Sequence, residues 1–109
     1  MPDLGLDCQV SGTTAEVALK GDLDMAAAFK LEPAVEHVVS GDAVDEVIFD
    51  LAGVNFIDSA GLGSLLSTQE RLHDLGINAE LRSPSAAARR VLEAGGLLSV
   101  LRHRDDSAG

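Results

Sequence analysis

The chain is 109 residues long, 46% hydrophobic, and carries a formal net charge of −10. That length suits one domain around one core, and the apolar content excludes a disordered chain. The charge disfavours nucleic acid and anionic membrane as partners, and the absence of Trp and Tyr leaves little to stack nucleobases.

The charge is uneven. Residues 1–70 hold 13 acids against 2 bases, while residues 71–109 hold 5 acids against 6 bases. Ordinary solubilising charge accounts for this, and so does an acidic half that faces a partner. The aromatics are Phe29, Phe49 and Phe56, so the core must be built largely from Val, Leu, Ile and Ala. Cys8 is the only cysteine; it rules out an internal disulfide and reads as a core residue in a strand. No basic region followed by an apolar run marks the N-terminus, and no apolar stretch nears the ~18 residues of a membrane helix. A cytoplasmic protein is the expectation.

Leu4, Leu6, Cys8 and Val10 alternate with smaller or polar residues, as do Ala15, Val17 and Leu19. Ser11-Gly12-Thr13 supplies a turn between them, so the two runs predict a β-hairpin. Gly21-Asp22-Leu23-Asp24 ends the second strand, with Asp24 placed to cap a helix. Ala28, Leu31, Val35, Val38 and Val39 follow helical spacing up to Gly41. Pro33 either kinks this helix or belongs to its first turn, with the regular part starting near Glu32.

Val44, Val47, Ile48, Phe49 and Leu51 form a nearly continuous apolar run, as a central strand covered on both faces requires. A tight loop after Asp50 is predicted to lead to Phe56-Ile57, and Asp58-Ser59 to open a helix. Leu62, Leu65, Leu66, Leu72 and Leu75 give that helix an apolar face, and Gly76 is a candidate C-cap. Gly61 and Gly63 sit in its first turns, where each costs roughly 1 kcal/mol relative to Ala. Close approach by another protein's backbone and tight packing on the chain's own sheet both account for them.

Ile77, Ala79 and Leu81 alternate as a fourth strand. Ser83-Pro84 is expected to start a helix with Ser83 as N-cap, Ala87, Ala88, Val91 and Leu92 inside, and a stop at Gly95-Gly96. Leu98, Val100 and Leu101 suggest a short final strand before a polar, frayed tail. The predicted fold is α/β, order β-β-α-β-α-β-α-(β), with a mixed four- to five-stranded sheet and helices packed against it.

Ser59 thus stands at a strand-loop-helix junction, near the positive end of a helix dipole. A phosphate there meets unpaired N–H groups, yet adds roughly −1.5 to −2 charges beside Asp58. Two readings stand together: a capping pair, and a switch residue. The pattern argues against a serine nucleophile. His37, His73 and His103 fall in helix or tail positions on the solvent side, and no Gly-x-Ser-x-Gly elbow exists. Asp22, Asp24, Asp50 and Asp58 lack metal-ligand spacing, and no Gly-x-x-x-x-Gly-Lys-Ser/Thr loop is present. The opening hairpin argues against an aspartyl-phosphate receiver. No cofactor is expected.

Gly21-Asp22-Leu23-Asp24, Asp50-Leu51-Ala52-Gly53-Val54, and Phe56-Ile57-Asp58-Ser59-Ala60-Gly61-Leu62-Gly63 together resemble the STAS domain, specifically the bacterial anti-sigma factor antagonists. Ser83-Pro84-Ser85 and Val91-Leu92-Glu93-Ala94-Gly95-Gly96-Leu97 add to the likeness. The resemblance implies one STAS domain over 1–109, with a core at about 4–101 and a polar tail at 102–109.

It further implies a protein that is not an enzyme and serves transcription regulation. The partners implied are an anti-sigma factor with serine kinase activity, which phosphorylates Ser59, and a serine phosphatase, which restores it. Asp22, Asp24, Asp58, Ser59, Ala60, Gly61, Leu62 and Gly63 would form the partner-binding surface. A monomer or weak dimer is expected. The family often ends in a further helix, where this chain has only a short polar tail, and Pro33 is unusual in its first helix. Two other STAS roles stay open: a constitutive scaffold in a stressosome-like assembly or lipid-transport complex, and a nucleotide sensor.

Overall fold

The computed structural model describes residues 4–41, 43–94 and 103–104. The strands are β1 (Gly5–Ser11), β2 (Thr14–Leu23), β3 (Glu46–Ile57), β4 (Asn78–Arg82) and β5 (His103–Arg104). The helices are α1 (Met25–Gly41), α2 (Ser59–Asp74) and α3 (Ala86–Ala94). One sheet holds the strands in the order β1-β2-β3-β4-β5; β1 is antiparallel to β2 and every other pair is parallel. This is the mixed α/β sheet expected from the sequence, in the expected element order.

The hairpin closes through Gly12, which takes a φ of +63°. Ala15 and Val17 of β2 pair with Val47 and Phe49 of β3, which stand beside Ala79 and Leu81 of β4; Leu19 falls at a register shift. All are buried, and α1 and α2 pack over them. The core is mostly aliphatic, as composition requires. Only Phe49 of the aromatics is inside, however; Phe29 and Phe56 are on the surface. Cys8 is also exposed, against expectation. β1 is an edge strand, and α1 covers β2 rather than β1. Desolvation, then the neighbouring Asp7 carboxylate, pushes the Cys8 thiol above its ordinary value, so it stays protonated at neutral pH.

The predicted loop after Asp50 does not exist; β3 runs unbroken to Ile57. Two register shifts against β2 each add one residue to β3, between Ala18/Lys20 and Gly21/Asp22. These bulges break the strand alternation, and Gly53 and Asn55 imitate turn chemistry. A Cβ at Gly53 would stand 2.9 Å from Lys20 Cγ and 3.1 Å from the Leu19 carbonyl, so glycine is required where the strands crowd. On the opposite sheet face a cavity of about 180 Å³ is lined by Glu16, Asp50 and Arg82, among others. Arg82 pairs there with Glu16, and with Asp50 at 3.5 Å.

α1 begins at Met25, not near Glu32, and passes through Pro33. Pro33 is exposed, and so is Phe29 four residues earlier, whose carbonyl the proline leaves without a helical donor. α2 ends as anticipated at Gly76, which has a φ of +78°. Ile77 N–H donates to Leu72 O at 2.8 Å and Gly76 N–H to His73 O at 2.9 Å, a Schellman closure. Leu75 is 47% exposed rather than part of the inner face.

The cap of α3 is Ser85, not Ser83. Ser85 Oγ accepts from Ala88 N–H at 3.1 Å, while Ser83 takes a φ of +51° outside the helix. Ser85 also donates from its N–H to Leu51 O at 3.2 Å and from Oγ to Val54 O at 2.6 Å. It thereby satisfies β3 carbonyls beyond the end of β4. The predicted stop at Gly95-Gly96 and the strand on Leu98, Val100 and Leu101 lie outside the described residues. His103–Arg104, placed by the sequence in a frayed tail, pairs as β5 with Leu81 and Arg82.

Candidate functional site

β2 and β3 are parallel, and each is followed by a helix. The N-termini of α1 and α2 therefore share one end of the sheet. Each is capped by an aspartate, as the residue types demand. Asp24 Oδ1 accepts from Ala27 N–H at 3.0 Å, and Asp58 Oδ1 accepts from Gly61 N–H at 2.8 Å. The backbone carbonyls of the two caps accept from Ala28 and Leu62 N–H, both at 2.9 Å. Asp58, not Ser59, is thus the cap of α2.

Leu23 fixes the start of α2. Its carbonyl accepts from Asp58 N–H at 3.3 Å. A Cβ at Gly61 would lie 1.8 Å from the same oxygen, so only glycine lets the helix close on β2. Gly63 is the opposite case: nothing stands within 4 Å of a Cβ there. Self-packing therefore accounts for Gly61 and leaves Gly63 without an explanation inside the chain.

The small polar residues of α2 make the contact with α1. Ser64 Oγ donates to Ala28 O at 3.1 Å, and Ser67 Oγ donates to Glu32 Oε1 at 3.1 Å. Arg71 pairs with Glu36 at 3.1 Å one turn later. Thr68 is buried and donates to Ser64 O at 2.8 Å within its own helix.

With Asp58 doing the capping, Ser59 opens the first turn of α2 with an exposed side chain, and no hydrogen bond to its hydroxyl occurs among the described residues. Asp22 is half-buried opposite Phe56. Ala60 and Leu62 are partly buried, and Gly63 is exposed. Gly61 is buried and does not share their surface. Three residues outside the partner-binding set expected from the sequence also stand here. Met25 is 64% exposed, Phe29 78% and Phe56 49%. Helical phase could have found Phe29: the buried set Ala27, Leu31 and Val35 falls at four-residue intervals, and Phe29 is out of phase with it. Among the described residues, no group of His, Cys, Asp or Glu has the arrangement of a metal site. No described helix is long and apolar enough to cross a membrane.

The STAS domain family model matches residues 6–108, nearly the whole chain. The chain belongs to the STAS domain family. Among curated STAS relatives it is 28% identical over 88 residues to the anti-sigma F factor antagonist of Lysinibacillus sphaericus, covering 81% of this chain and 75% of that one. An anti-sigma factor antagonist from Mycobacterium paratuberculosis superposes with a TM-score of 0.79 at 26% identity, covering 93% of this chain and 85% of that one. The Bacillus cell fate determinant SpoIIAA in its phosphorylated form gives 0.69 at 25% identity, covering 94% and 90%. Fold alone does not assign a role to the side chains at the α1/α2 end.

Proposed function

We propose that this STAS domain is an anti-sigma factor antagonist whose binding is controlled by phosphorylation of Ser59. In this reading the unmodified protein binds an anti-sigma factor that is also a serine kinase, and so frees a sigma factor. Phosphate on Ser59 ends that binding, and a serine phosphatase restores it. The chain is substrate and ligand, not enzyme.

One observation carries the reading: Ser59 presents an exposed, unbonded hydroxyl on the first turn of α2, because Asp58 does the capping. A kinase needs an accessible hydroxyl, and nothing in the chain has to open to supply one. The likeness to antagonists, one of them solved in a phosphorylated form, supports it. A dianion at this position meets the positive helix end but lies next to the Asp58 carboxylate. At a contact shaped for a hydroxyl, its bulk and desolvation cost oppose binding. A penalty of about 3–5 kcal/mol would weaken binding by two to four orders of magnitude.

The test is intact mass and phosphopeptide mapping after incubation with native extract and ATP, with Ser59→Ala as control. One added phosphate, mapped to Ser59 and absent from the control, is the expected result. No phosphate in an extract whose kinases are active would overturn the switch and favour a constitutive scaffold.

A further inference from the structure

We propose that Met25 and Phe29 form the apolar anchor by which this chain docks on the partner that reads Ser59. The inference rests on the proposed function and adds what the partner must look like. Met25 and Phe29 are one helical turn apart on α1, and Phe29 has the highest exposure of any large apolar residue described. Each flanks the line by which α1 meets α2, since neighbouring Ala28 accepts the Ser64 hydroxyl. They therefore lie beside the first turns of α2, where Ser59 and the unfilled space over Gly63 are found. An exposed Phe and Met on a helix whose inner face is already satisfied add nothing to the core. As interface anchors, large apolar side chains in a desolvated centre supply most of the binding energy.

The border of this patch sets the partner's chemistry. Asp24 directly precedes Met25, Asp58 caps α2 and Asp22 pairs with Phe56, and Lys30, next to Phe29, is the one cation within residues 22–32 and 54–63. The complementary surface is an apolar socket with a lysine- or arginine-bearing edge, on the anti-sigma kinase itself. A second copy of this chain is a poor match, because its own end carries the same carboxylates.

The test uses the purified anti-sigma serine kinases of the organism that encodes the chain. Each is titrated by calorimetry against full-length Ser59→Ala protein, which cannot be modified during the experiment. In that background Phe29→Ala should weaken binding by about thirtyfold or more, and Met25→Ala by about tenfold. Leu75→Ala, an exposed apolar truncation at the far end of α2, should change it less than twofold. Circular dichroism checks that every variant is folded. If Phe29→Ala and Met25→Ala bind within twofold of the parent while a kinase still phosphorylates Ser59 in the wild-type chain, the anchor is overturned and the switch stands. If no kinase binds the parent, both are overturned. Self-association abolished by Phe29→Asp would assign the patch to a second copy and overturn the kinase socket.

Discussion

The α1/α2 pair has two ends, and they are finished differently. At the C-terminal end polar groups are satisfied within the chain. Arg71 pairs with Glu36, and Gly76 and Ile77 close the last turn of α2 on its own carbonyls. A groove of about 670 Å³ remains there, lined by Pro33, His37 and Leu75 among others, with the ion pair in its wall. At the N-terminal end Asp24 and Asp58 each cap a helix, taking one backbone N–H on the side chain and one on the carbonyl. Other side chains there are unspent: Ser59 is free, and Met25 and Phe29 project into solvent. Capped helices with unspent side chains are the combination that distinguishes a presented surface from a merely frayed one.

The largest contrast lies inside the N-terminal end, between its two glycines. Gly61→Ala drives a methyl into the Leu23 carbonyl and should cost about 3 kcal/mol or more, read as a lower urea midpoint. Gly63→Ala enters open space on a helix and should instead raise stability by about 0.5–1 kcal/mol in the same experiment. Equal effects at the two sites would mean that Leu23 does not set the start of α2. Next in size is the cap: Asp58→Ala should cost about 1 kcal/mol, and Asp58→Asn or Asp58→Ser much less, because each keeps an acceptor for Gly61 N–H. Smallest is the far end, where Arg71→Ala should cost no more than about 0.5 kcal/mol and less still in high salt, since both partners of its ion pair are exposed.

Element order and type were legible in the sequence because the apolar periods are clean. The hairpin alternates through Val17 and Leu19, the central strand is continuous at Val47–Phe49, and Asp24 and Asp58 are strong caps. The errors share one cause: local pattern does not encode what covers an element. Cys8 alternates like a core residue, yet among the described residues the helices pack over β2, β3 and β4 and not over β1. Gly53 and Asn55 look like a loop because bulges and turns use the same residues. Ser83 has the better cap-and-proline sequence, but Ser85 is the one that also meets the free carbonyls of Leu51 and Val54. At the site, Ser59 and its neighbours could be singled out from motif and helix-end chemistry. Phe29 is out of helical phase with Leu31 and Val35 in the sequence already, but its exposure beside Met25 shows only with the inner face of α1 fixed as Ala27, Leu31 and Val35.

The unbroken course of β3 has a mechanical consequence. With no loop between strand and helix, Ser59 is mounted on a stiff bracket: two residues past a twelve-residue strand, on a helix pinned to Leu23. There is no hinge in that mounting for a covalent change to turn. Modification at Ser59 would rewrite what the surface displays while its supporting backbone stays in place. Amide exchange through β3 and the first turns of α2 should therefore be the same in the two states, and the difference between them should reside in the partner's dissociation rate.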